Sequence, residues 1–246
     1  MTLKLSVSAV CDIGCKKPNN EDMILIHDKM FRDGKNKAVF NIKETRLLIA
    51  VADGVGGLNK GEAASEIVLT NLRDMLMKVP GDLTNDELKE VFETFTAETH
   101  AKLTHDMGST IAGLFLYNEK LYRYHAGDSR IYRMRRRELE RLTVDHSLRE
   151  SGGQKDAPSN IITNSIGGGS SAFIEFAEIE FPFFNNDIYL LSSDGMHDLV
   201  SQKEILETLD NPKVSSEAAS VKLVDLAKKY GGKDNISVVT INIKER

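Results

Sequence analysis

Hydrophobic and polar positions alternate over residues 1–7, so residues 3–11 read as a strand, and residues 23–28 read as another. Residues 47–52 form a continuous apolar run of the kind found in a buried strand. The period then changes. Ala64, Ile67, Val68, Leu72, Met75, Leu76 and Val79 recur at helical spacing. A second helix opens with a Thr84-x-x-Glu87 capping box and carries Leu88, Val91, Phe92, Phe95 and Leu103. Strand character returns at 109–117, 120–125 and 130–134, and the short turns between these segments imply antiparallel neighbours. Further strands are expected at 174–181 and 188–193. A Ser201-x-x-Glu204 capping box starts a short helix, another helix covers about 216–230, and a strand at 235–243 closes the pattern.

Strand groups beside paired helices predict an α+β sandwich, and the absence of regular βαβ alternation argues against a doubly wound nucleotide fold. The five prolines are scattered and no Gly/Ser tract or charge block divides the chain, so residues 1–246 are expected to form one domain. With 41% hydrophobic and 28% charged residues, the composition excludes a mostly disordered or collagen-like chain. A net charge of −5 argues against a protein that wraps nucleic acid, an arginine-rich turn at 133–141 being the local exception. No apolar run approaches the roughly 20 residues of a membrane-spanning helix, and residues 1–7 lack the pattern of a secretion signal, so the expected location is cytoplasmic, away from membranes. Cys11 and Cys15 form neither a disulfide framework nor a zinc spacing and read as spectators.

The chemistry concentrates in acidic residues where strands end. The 47–52 run leads into Asp53-Gly54, and the 188–193 run leads into Asp194-Gly195. Asp128 follows Gly127 in a turn between strands, Asp234 stands at the entry to the closing strand, and Glu21-Asp22 precede another strand. An Asp-Gly pair is ordinarily a turn. Several carboxylates at the ends of buried strands, however, lose hydration and need cations. Hard divalent ions that prefer oxygen, Mg²⁺ or Mn²⁺, suit them, and two ions would supply the arrangement that activates a water for attack on phosphorus or a carbonyl carbon. Zinc is disfavoured because the histidines and cysteines lack ligand spacing. The glycine-rich stretch from Asp53 to Gly61 fails both phosphate-loop fingerprints.

The chain resembles the metal-dependent serine/threonine protein phosphatases of type 2C (PPM), in their compact bacterial form. The resemblance rests on Asn20-Glu21-Asp22, on Ala52-Asp53-Gly54-Val55-Gly56-Gly57 with Gly61-Glu62-Ala63-Ala64-Ser65, and on Met107-Gly108-Ser109-Thr110. It continues through His125-Ala126-Gly127-Asp128-Ser129-Arg130, Leu142-Thr143-Val144-Asp145-His146-Ser147 and Ile162-Thr163-Asn164-Ser165-Ile166-Gly167. The last two segments are Ser193-Asp194-Gly195-Met196-His197-Asp198 and Gly232-Lys233-Asp234-Asn235-Ile236. It implies a four-layer α-β-β-α sandwich, two antiparallel sheets flanked by helix pairs, with the metal site between the sheets. By the same resemblance Asp53 would bridge two Mn²⁺ or Mg²⁺ ions, the Gly54 carbonyl would help hold one, and Asp194 and Asp234 would complete the other. Glu21 and Asp22 would act through bound waters, and Asp128 with Asp194 would form a weaker third site. The implied reaction is one-step hydrolysis of phosphoserine or phosphothreonine in proteins by a metal-activated water, with a partner Ser/Thr kinase among the substrates.

Three departures stand out. Lys17 occupies the place of a phosphate-gripping arginine and would bind substrate phosphate without a bidentate fork, unless it is a solvated lysine beside Lys16. Val55 follows Asp-Gly where some relatives have histidine, and His146 reads instead as a brace for the turn after Asp145. The segment 148–161, usually a longer flap, is short and contains Ser151-Gly152-Gly153-Gln154. The competing reading is a non-catalytic phosphoprotein- or partner-binding module on the same fold.

Overall fold

The structure, a computed structural model, describes residues 3–44, 46–56, 60–150, 153, 156, 161–212 and 214–245. Its strands are β1 (Leu3–Asp12), β2 (Asp22–Ile26), β3 (Lys29–Phe31), β4 (Gly34–Asn41), β5 (Leu47–Gly56), β6 (Met107–Ser109) and β7 (Ile111–Tyr117). They continue as β8 (Lys120–Ala126), β9 (Arg130–Arg135), β10 (Glu138–Arg141), β11 (Ile166–Gly167), β12 (Glu175–Glu178), β13 (Ile188–Ser192) and β14 (Ile236–Glu245). The helices are α1 (Lys60–Leu76), α2 (Asn85–Lys102), the single turn α3 (Asp194–His197), α4 (Gln202–Leu209) and α5 (Ser216–Lys229). The capping boxes at Thr84 and Ser201 both form, each hydroxyl accepting the N–H three residues on while the glutamate returns to the cap N–H.

One sheet runs β10-β9-β13-β14-β1-β4. The other runs β11-β6-β5-β7-β8-β12, with β2 paired to both β5 and β3. The principal ladders are antiparallel. Residue parity in β5 explains its continuous apolar run. Leu48, Ala50 and Ala52 pack under α1 and α2, while Leu47, Ile49 and Val51 face the second sheet. Both faces are covered, so no position is left for a polar residue until the strand passes Ala52. A third cluster joins β13 and β14 to α3, α4 and α5 through Leu190, Val238, Met196, Ile205 and Leu223. Helices, sheet, sheet and helices therefore stack as the four expected layers.

Several boundaries differ from the sequence reading. The strand expected at 109–117 is two, because the Thr110 N–H turns to the Asp53 carbonyl (2.9 Å) between β6 and β7. The strand expected at 174–181 shortens to β12. The sequence reading missed β3, β4 and β10, which contain no buried position and so carry little hydrophobic signal. The arginine-rich turn is neutralised from within: Arg133, Arg135, Arg137 and Arg141 pair with Glu140, Asp187, Asp210 and Glu150. Of the expected flap at 148–161, residues 151–152, 154–155 and 157–160 lie outside the described residues. Its described ends are tied by the Leu148 N–H donating to the Ile161 carbonyl (2.8 Å). No described helix is long and apolar enough to cross a membrane.

Candidate metal centre

The core between the sheets ends in a polar layer, and parity decides which residues form it. Asp53 continues the series Leu47, Ile49, Val51, and Asp22 shares a face with Ile24 and Ile26, so both carboxylates point between the sheets. They stand directly opposite each other in the β2–β5 ladder. β5 runs on through Asp53 to Gly56, so Asp53 lies within the strand and not after its end as the sequence suggested. From the other sheet, the Ser193 Oγ donates to Asp22 Oδ2 (2.7 Å) while accepting the Ser237 N–H (2.9 Å).

Asp194 opens α3, immediately after β13. A Cβ on Gly195 would lie 2.0 Å from the Asn235 carbonyl oxygen, so glycine is required for α3 to sit against the segment bearing Asp234. Asp128 lies in the turn that carries the chain from β8 in one sheet to β9 in the other. That turn is closed by Gly127 at φ +104° and by a Thr110–Ser129 hydroxyl contact of 2.8 Å. Gly54 touches backbone on two sides, its Cβ position lying 1.9 Å from the Gly61 oxygen and 2.9 Å from that of Glu21. Residues 57–59 of the following loop lie outside the described residues.

The acidic residues named from the sequence thus converge from β2, β5, the β8–β9 turn, α3 and the entry to β14. Asp22 and Asp128 are buried, whereas Glu21, Asp53, Asp194 and Asp234 are half-buried, leaving the cluster open to solvent on one side. Burial, reinforced by neighbouring carboxylates, pushes Asp22 and Asp128 up to about 7 and Asp194 up to about 6. The same causes raise Asp53 well above the usual carboxylate range. Asp22 Oδ1, Asp128 Oδ1 and Asp194 Oδ1 are buried with no hydrogen-bond partner. Unpartnered, crowded carboxylate oxygens are the donor set that hard divalent cations satisfy, so these residues fit Mn²⁺ or Mg²⁺.

Lys17 is not a solvated surface lysine: its Nζ lies 2.7 Å from Asp234 Oδ1. Burial lowers its pKa, but Asp234, Asp53 and Glu21 outweigh that and hold the ammonium above its ordinary value. Sequence reasoning missed the supporting polar groups. The Asn235 side chain accepts the Glu21 N–H (2.8 Å) and donates to the carbonyls of Ile13 and Asn19. Arg32 reaches the carbonyls of Asn20 and Asp22. Asp198 was quoted in a motif without a role, yet its charge reaches Asp128 and Asp194. Of these, only Asn235 and Asp198 lay inside a quoted motif, so they alone had a signal to follow.

His125, His146 and Glu175 also come together, but the hydrogen bonds of His146 fix a tautomer unsuited to a metal. His146 Nδ1 accepts from Gly127 N–H (3.2 Å) and from the Asn164 amide (2.8 Å), whose orientation is set by Phe173. The proton therefore sits on Nε2, facing Glu175 Oε1 at 3.3 Å, and no lone pair is free there. The His146 backbone N–H also donates to the Gly127 carbonyl (3.0 Å), so the turn it braces is the one bearing Asp128 and not only the one after Asp145. Cys11 is buried, and burial, then Asp22, pushes its thiol far up; Cys15 is exposed, and both are free.

Comparison with known proteins agrees with this geometry. Residues 18–151 match the Protein phosphatase 2C family. The serine/threonine phosphatase stp of Listeria welshimeri is 30% identical over 226 residues, covering 84% of this chain and 88% of that one. The structure of the Streptococcus agalactiae serine/threonine phosphatase superposes with a TM-score of 0.81 at 26% identity, covering 98% and 100% of the two chains. The catalytic domain of the serine/threonine protein phosphatase PstP, solved with two manganese ions, superposes with a TM-score of 0.75 at 28% identity, covering 99% and 100%. With the match spanning more than half of its residues and the fold in agreement, the chain belongs to the protein phosphatase 2C family.

Proposed function

We propose that this protein is a metal-dependent serine/threonine phosphatase that hydrolyses phosphoserine and phosphothreonine in proteins. The observation that carries the reading is the set of buried carboxylate oxygens without partners on Asp22, Asp128 and Asp194, gathered around Asp53 in a fold shared with such phosphatases. In this reading residues 1–246 form one catalytic domain. Asp53 and the Gly54 carbonyl, with Asp194 and Asp234, would hold two Mn²⁺ or Mg²⁺ ions; Glu21 and Asp22 would contribute through waters, and Asp128 with Asp194 would offer a weaker third site. Bound there, such ions lower the pKa of water to make a nucleophile and neutralise charge on phosphoryl oxygens.

The chain's own residues do the rest. Asp53 and Asp194 stand close enough for their charges to repel, which sets where the positive charge of the centre must lie. Lys17, already drawn toward Asp234, places an ammonium at the rim where a substrate phosphate can receive it as a point charge. Val55 carries no proton to donate. Phosphorylated proteins are the partners, a Ser/Thr kinase among them, and the setting is cytoplasmic signalling.

Purified protein should release phosphate from a phosphothreonine peptide in Mn²⁺ but not in chelator, and Asp194→Ala should abolish release while keeping the fold. Absence of release from any phosphopeptide, alongside measurable metal binding, would instead establish a module that binds phosphoproteins without hydrolysing them.

A further inference from the structure

The segment Asn20-Glu21-Asp22 brings two carboxylates to the acidic cluster, and repulsion from Asp53, Asp194 and Asp234 acts to push it away. One side chain outside every motif opposes that push. Arg32 follows β3, and its side chain is only 14% exposed. Its Nη1 donates to the carbonyls of Asn20 (2.9 Å) and Asp22 (3.1 Å), which flank Glu21 on either side. The same nitrogen lies 3.3 Å from the Ser65 Oγ, and that hydroxyl donates to the Glu21 carbonyl at 2.6 Å. Nη2 donates to the Glu62 carbonyl (2.8 Å) in the first turn of α1.

Three consecutive carbonyls, 20, 21 and 22, are thus tied to α1 through one guanidinium and one hydroxyl. The charge of Arg32 is met by the carboxylates of Glu62 (3.6 Å) and Glu66 (3.7 Å), both on α1. The hydrogen bonds of its guanidinium to the 20–22 segment all go to backbone, so its contribution there is geometric. We propose that Arg32 is a positioning residue that holds Glu21 and Asp22 at the distance from Asp53 that metal binding requires. This extends the phosphatase reading to a residue that touches neither the carboxylates at the centre nor a substrate, and it rests on that reading. It also accounts for the stretch Gly61-Glu62-Ala63-Ala64-Ser65. Glu62 and Ser65 supply the anchor for Arg32, and Gly61 allows close approach, since a Cβ there would lie 2.6 Å from Glu21 Oε1.

The test is the Mn²⁺ dissociation constant, measured by titration calorimetry without substrate, for wild type, Arg32→Lys, Arg32→Ala and Ser65→Ala, with melting temperatures alongside. Lysine keeps the charge but cannot span carbonyls on two elements, so Arg32→Lys should bind Mn²⁺ about tenfold more weakly at a nearly unchanged melting temperature. Added methylguanidinium should restore Mn²⁺ affinity to Arg32→Ala. If that variant does not fold, Arg32→Lys and Ser65→Ala, the latter expected to weaken binding severalfold, decide the question. Wild-type affinity in Arg32→Lys would overturn the proposal and leave the phosphatase reading intact. Failure of the wild type to bind Mn²⁺ or to release phosphate would overturn both.

Discussion

Asp22 on β2 and Asp53 on β5 face each other across an antiparallel ladder with their side chains on the inner face of the sheet. Like charges directly opposite one another destabilise a sheet, so the protein keeps this pair at the expense of its own stability. Asp53→Asn should therefore raise the melting temperature of the chelated protein while lowering Mn²⁺-dependent phosphate release by about 10³-fold, the several kcal/mol of charge stabilisation lost with the metal site. Differential scanning calorimetry in chelator and a phosphopeptide assay would measure the two effects. A lower melting temperature in the variant would show that the pair does not carry the repulsion described.

The ammonium of Lys17 pairs with Asp234 at 2.7 Å from a different loop. A charge-assisted hydrogen bond contributes about 1.5–3 kcal/mol. Lys17→Ala should accordingly raise KM for a phosphothreonine peptide about tenfold or more with a smaller change in kcat, and Lys17→Arg should lower KM through a bidentate grip. Steady-state kinetics at saturating Mn²⁺ would separate these parameters. An unchanged KM in both variants would remove Lys17 from substrate binding.

Proton linkage gives the metal-free protein a defined pH dependence. Asp22 and Asp128 are pushed up to about 7 and Asp194 to about 6, mainly by burial, against about 3.9 for an unfolded aspartate. The folded state then binds more protons than the unfolded one, so the stability these groups contribute is present at low pH and lost as pH rises through about 6 to 7. Burial acts with the opposite sign on His125, pushed down to about 4, and on His197, held well below its ordinary value. Those two destabilise the fold once unfolded histidines charge below about 6.5. In chelator, the melting temperature should fall by several degrees between pH 6 and pH 8, because the raised carboxylates outnumber the two histidines that act in the other direction. Added Mn²⁺ should stabilise most at pH 8, where protons no longer compete for the carboxylates. A flat melting temperature from pH 6 to 8 in chelator would contradict the crowded-carboxylate description.

Much of this fold was legible because its central strands and helices announce their own surroundings. Leu47 to Ala52 is apolar at every position because one face meets α1 and α2 and the other meets the second sheet. Thr84 and Ser201 cap their helices through residues three positions away, within reach of a local pattern. The edge strands β4 and β10 bury too little to leave a pattern, and they went unseen. The acidic residues could be gathered by motif order, but their surroundings could not. Lys17 could not be told from a solvated lysine, because its partner Asp234 lies far along the chain and meets it only through folding.

By itself the sequence determined the element types, the layered α+β class and the identity of the acidic residues, since periodicity, caps and Asp-Gly strand ends act over a few residues. Tertiary structure alone decided that Asp22 opposes Asp53, that Ser193 reaches Asp22 from 171 positions away, and that Arg32 ties the 20–22 segment to α1. Ladder register and sheet-on-sheet packing place those groups together, and both are properties of the whole chain, set by the burial of every strand at once.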